Sequence, residues 1–125
     1  MALMACMAAL LPPGAAAQEA VRRAFPADAL RGRLQVVDPP EVRLNDQPAR
    51  LAPGARIRGT DQMLVMSGSV VGQALAVHYT VDPYGLVKDV WILRPDEAAG
   101  FWPRTPAEAS RYAFDPAAQV WTRRP

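Results

Sequence analysis

Cysteine, lysine and histidine each occur once in the 125 residues, as Cys6, Lys88 and His78. A lone cysteine excludes an internal disulfide and the multi-cysteine sites that hold structural zinc. A lone histidine leaves a zinc or acid–base centre without its usual second imidazole. With one lysine against thirteen arginines, the pI rises to about 9.1 while the net charge is only +2. The arginines are interleaved with Asp28, Asp38, Glu41, Asp46 and Asp61, so the clustered cationic stripe that nucleic acid requires is missing. Long helices are excluded as well, because thirteen prolines are spread along the chain. Ser67-Gly68-Ser69 lacks the flanking glycines of a nucleophile elbow, and Asp82-Pro83-Tyr84-Gly85 lacks the alternating oxygen ligands of a calcium loop. No nucleophile, base and orienting group can be assembled from this inventory. The chain reads as a non-enzyme without cofactor or metal.

What is present begins with an apolar run. Met1 to Leu11 is uninterrupted, Pro12-Pro13-Gly14 stops it, and Ala15-Ala16-Ala17 supplies the small residues a signal peptidase reads. Eleven residues are too few for a membrane span, which needs about twenty. The reading is a signal peptide over 1–17, cleaved before Gln18, and a periplasmic or secreted mature protein with no transmembrane span. No basic residue precedes Arg22, which points to a start codon upstream. An alternative takes Leu3-Met4-Ala5-Cys6 as a lipidation signal, with Cys6 as the anchor.

The mature chain divides into an N-terminal lead-in (18–29), a β domain (30–95) and a C-terminal extension (96–125). Val21 and Phe25 are four apart, which predicts a short helix ended by Pro26. From Leu30 the period changes to two. Leu34 and Val36 mark one strand, Val42 and Leu44 a second, and Asn45-Asp46 suits a tight hairpin leading to Ala49 and Leu51. Pro53-Gly54 fits the centre of a type II turn before a strand at Arg56-Ile57-Arg58. Met63 to Met66, wholly apolar, reads as a buried strand. The fold expected is mainly β: a small open barrel or roll of six to seven short antiparallel strands with helical appendages. An α+β roll is the alternative.

The strongest local signal is the hairpin from Gln73 to Arg94, turned by Asp82-Pro83-Tyr84-Gly85. A three-residue loop pairs Asp82 with Leu86. Regular counting then sets Val81 against Val87, Tyr79 against Asp89, Val77 against Trp91 and Leu75 against Leu93. That face is apolar. His78 and Thr80 fall on the other, half-wet face, with Asp89 pointing away from His78. After Pro95, Asp96 and Glu97 suit a helix's first turn, and Thr105-Pro106-Ala107-Glu108 has the form of a capping box opening a helix to about Tyr112.

The stretch from Thr80 to Leu93 resembles the central hairpin of TonB-type C-terminal domains, which carry Val-Asp-x-x-Gly-x-Val-x-x-Val-x-Ile/Leu. The long helix that such domains place next is replaced here by Pro95, Pro103 and Pro106. The whole chain, with Pro-Gly-Ala-Arg-Ile-Arg at 53–58, also resembles small exported proteins of Gram-negative bacteria. That resemblance implies an envelope location and carries no activity with it.

Two pairs of residues are candidate binding groups. Arg56 and Arg58 flank Ile57 on one strand face and suit an anionic envelope group; as exposed strand cations they equally discourage edge pairing. Phe101 and Trp102, followed by Tyr112, Phe114 and Trp121, form either a cover over the sheet or an aromatic contact surface. The first functional expectation is a non-catalytic envelope protein that binds a protein partner at a sheet edge. The alternative is a small-ligand or glycan-binding module built on the C-terminal aromatics.

Overall fold

A computed structural model describes residues 22–125. The leader with its cleavage site, the lipidation alternative at Cys6 and residues 18–21 of the lead-in lie outside the described residues. The protein is mainly β, as its alternating pattern predicts.

Among the described residues eight strands run β1 (Leu30–Asp38), β2 (Glu41–Leu44), β3 (Gln47–Arg58), β4 (Leu64–Val65), β5 (Ala74–Val81), β6 (Val87–Ile92), β7 (Tyr112–Asp115) and β8 (Val120–Arg123). Two short helices, α1 (Pro95–Ala99) and α2 (Pro106–Ala109), separate β6 from β7. Six strands form one sheet in the order β2-β1-β5-β6-β3-β4, and β2 also pairs with β3; β7 and β8 form a separate hairpin. The sheet is therefore strongly coiled, but it is not a closed barrel: β4 remains an end strand. It is also mixed rather than wholly antiparallel, since β3 and β6 run parallel. Among the described residues no helix is long and apolar enough to cross a membrane.

Local chemistry explains most of these elements. Asn45 and Asp46 both take positive φ (53° and 64°), the geometry of a two-residue hairpin turn, and the Asn45 side chain accepts from the Arg33 amide at 2.9 Å. Gly54 also takes positive φ, 75°, as a turn would require. It does not end the strand. β3 continues through it with a register shift between Leu51 and Arg56, and this bend lets β3 pair with β2 at one end and β6 at the other.

The β5–β6 turn forms as its residues dictate: Asp82 N donates to Leu86 O at 2.8 Å, and Asp82 Oδ1 accepts from the Tyr84 and Leu86 amides. The register beyond it corrects the expected one. Val81 faces Val87, but a bulge at Lys88 then slips the ladder: Thr80 faces Asp89, Tyr79 faces Val90, His78 faces Trp91 and Val77 faces Ile92. One extra residue on β6 moves Asp89 and Trp91 onto the face that carries His78.

Both faces of this hairpin are buried. One belongs to the main core of Leu34, Val36, Val42, Leu51, Ile57, Val77, Tyr79, Val87 and Val90. The other is covered by a second cluster of Phe25, Ala29, Leu93 and Trp102, with Trp91, Phe114 and Trp121 packed against it. The lead-in and the C-terminal extension supply that cover. Residues 22–25 are not helical, contrary to the expected lead-in helix; they form neither helix nor strand, and Arg23 and Phe25 are both buried. The apolar run at Met63–Met66 is likewise no buried strand. Leu64 and Val65 pair with Arg58 and Ile57 at the sheet's end, leaving Met63, Leu64 and Met66 exposed.

Candidate functional site

The second cluster does not seal completely. Between the lead-in, α1 and the start of β8 lies a pocket of about 570 Å³, walled by Phe25, His78, Phe101, Trp102 and four arginines, Arg22, Arg23, Arg31 and Arg94. Its size falls in the range of small-molecule sites.

The cationic wall is anchored to the backbone. Arg23, almost fully buried, sends Nε to Glu97 Oε2 at 2.8 Å, Nη1 to Gly59 O at 2.9 Å and Nη2 to Ile92 O at 2.7 Å. Arg31 donates to Glu97 O, Ala98 O and Gly100 O around the C-terminal end of α1, where Glu97 O also takes the Gly100 amide. Glu97 is the hub. It accepts from Arg23, pairs with Arg94 and takes the Arg94 amide at 2.8 Å, closing the capping box that starts α1. Burial alone would raise its pKa, but hydrogen bonds from the Arg23 side chain and Arg94 backbone, with both positive charges, outweigh it and hold the carboxyl below its usual range.

The aromatic wall is equally fixed. Trp102 Nε1 donates to Ala29 O at 2.7 Å, locking the indole against the lead-in. His78 lies between Trp102, at 4.3 Å between centroids, and the edge-on Phe25 ring at 4.4 Å. Burial first, then the charges of Arg31 and Arg23, push the His78 pKa down to about 3, so the imidazole is neutral at physiological pH.

The structure separates the two expected pairs. Arg56 and Arg58 do share a strand face, but neither lines this pocket. Arg58 stacks over Trp91 at 5.6 Å and pairs with Asp89 at 3.4 Å, while Arg56 is exposed beside a second groove near Leu64. Phe101 and Trp102 both line the pocket, in different roles: Trp102 is a buried wall, and the half-exposed Phe101 stands on the rim against Tyr112 at 4.7 Å. Arg23, Arg31 and Phe25 are not picked as site residues from sequence, and His78 is weighed there only as a lone histidine and set aside. The available signal was proximity of Arg22-Arg23-x-Phe25 to the strands, which has no meaning until the lead-in folds back over β5 and β6.

Asp89 shares the His78 face but bonds to Arg58 and Thr80, so it does not orient the imidazole. No group of three or more potential metal ligands occurs among the described residues.

No protein-family model, curated protein or solved structure matches the chain. Function therefore rests on the geometry.

Proposed function

We propose that the chain is an exported, non-catalytic binding module of the Gram-negative envelope, and that its working part is the pocket between the lead-in and the C-terminal extension. The observation that carries this reading is a pocket with aromatic side walls and an arginine-rich margin, held rigid by backbone hydrogen bonds at Trp102, Arg23 and Arg31. Preorganised walls lower the entropic cost of capturing a ligand. Export is supported by the 1–17 leader pattern, and sequencing the mature N-terminus should return Gln18. The pocket itself is tested by tryptophan fluorescence against a panel of cell-wall glycans and small organic acids. Saturable change with at least one class is expected; a flat response to every probe rules the reading out.

A second reading, protein capture at a sheet edge, has its own support. β4 ends the six-stranded sheet, and Met63, Leu64 and Met66 beside it are 69%, 68% and 81% exposed. Exposed apolar side chains at a strand edge suit the addition of a partner strand. A photo-crosslinker at Met63 should then trap one envelope protein, and Leu64→Lys should abolish the adduct. Adducts that survive Leu64→Lys count against it.

A further inference from the structure

Resting on the pocket reading above, we infer that the ligand is a small organic acid: a carboxylate received by Arg31 and His78, with an aromatic or apolar body lying against Phe25, Phe101 and Trp102. The evidence is a pair of unfulfilled polar groups. Both ring nitrogens of His78 are buried without a hydrogen-bond partner, and so is Nε of Arg31. His78 is 1% exposed and both residues line the pocket. Leaving such groups unpaired forfeits their hydration with nothing in return. Folded proteins keep few of them, and each calls for a specific explanation.

The two groups belong together. Arg31 and His78 are directly opposed on β1 and β5, so their side chains leave the sheet on one face. Arg31 is already fixed by three carbonyls, leaving Nε–H as a donor of set direction. A neutral imidazole offers one N–H donor. Two preset donors, one of them cationic, suit an anionic oxygen better than a neutral one.

Charge points the same way. Four guanidiniums face two carboxylates, Asp96 and Glu97, and Glu97 is committed to Arg23 and Arg94. Burial and then the repulsion of Arg104 lower the Arg31 pKa, a strain that a bound anion relieves. The ring faces of Phe25, Phe101 and Trp102 give the remainder of the ligand apolar contact. An inorganic anion would leave that wall unused.

The test compares 3-phenylpropionate with its neutral amide, 3-phenylpropionamide, on the full mature chain at pH 7, with inorganic phosphate as competitor. Binding is read by tryptophan fluorescence and by the ¹⁵N signals of the His78 imidazole. The acid should bind at least about tenfold more tightly than the amide, as expected for a charge-assisted hydrogen bond. It should also shift the His78 signals. His78→Phe keeps an aromatic ring while removing both nitrogens and should reduce the preference to about threefold or less. The imidazole signals of the parent give an independent readout if that variant fails to fold. Equal binding of acid and amide, or displacement of the acid by an equal concentration of phosphate, overturns the organic-acid assignment and leaves the binding pocket standing. An unchanged preference in His78→Phe removes His78 from it. If no probe moves either signal and a panel of glycans is equally silent, the pocket reading itself fails.

Discussion

Arg23 and Glu97, seventy-four positions apart, form a bidentate ion pair in which the two side chains are only 2% and 8% exposed. The pair joins the lead-in to the helix that follows β6, and with Trp102 bonded to Ala29 it closes the second cluster over the sheet.

Glu97→Gln should therefore loosen the cover. The substitution leaves a buried guanidinium without its counter-charge, a change that costs about 3–5 kcal/mol in buried pairs. The carbonyls of Gly59 and Ile92 still hold Arg23, so the lower end of that range is expected. Denaturant titration measures the loss, and amide exchange should rise over residues 22–29. Unaltered exchange there would show that the lead-in is held by something else.

The buried imidazole predicts acid sensitivity of a definite sign. His78 titrates near 3 in the folded chain, because burial and the charges of Arg31 and Arg23 oppose its protonation, and near 6.5 once unfolded. Between those values the unfolded chain binds more protons. The contribution is thus complete above about pH 6.5 and is lost toward pH 3, at roughly 1.4 kcal/mol per pH unit. From pH 7 to pH 5 the parent should lose about 2 kcal/mol. Glu97, whose depressed carboxyl adds its own loss only at lower pH, does not interfere in that window. His78→Phe should flatten the slope; the same slope in both proteins would contradict a neutral buried His78.

Gly32 tests the packing of the main core. A Cβ at this position would stand 2.7 Å from Tyr79 Cε1 and 3.1 Å from Asn45 Oδ1. Tyr79 is 6% exposed within the core and has little room to withdraw. Gly32→Ala should cost about 1–3 kcal/mol, lowering Tm by at least roughly 4 °C. A melting temperature equal to the parent's would mean the ring can move freely.

Val77→Asp probes the same core from the hairpin. Val77 is fully buried opposite Ile92, so the carboxylate would be desolvated with no cation in register. Loss of cooperative unfolding by circular dichroism is expected. A stable, cooperatively melting variant would place Val77 elsewhere.

Much of the fold is legible because it is written in short-range chemistry. Asn45-Asp46 and Asp82-Pro83-Tyr84-Gly85 each specify a turn through their own φ preferences and side-chain hydrogen bonds. Thr105 likewise announces a helix start, its hydroxyl accepting from the Glu108 amide at 3.0 Å, although α2 stops at Ala109. The candidate site was legible only in part. Phe101 and Trp102 drew notice as aromatics, whereas Arg56 and Arg58, noticed for their alternation, belong to another part of the surface.

By itself, the sequence determined the class of structure: alternation made strands, scattered prolines kept helices short, and turn residues placed the hairpins. Tertiary structure decided the rest. A single bulge at Lys88 reset which residues share a face, and burial on both faces of β5 turned an ordinary strand histidine into an unpartnered group in a pocket wall. Local preferences act through a residue's immediate neighbours along the chain. Neither the slip of a ladder nor the covering of its second face depends on those neighbours, since both arise from segments that meet only after folding.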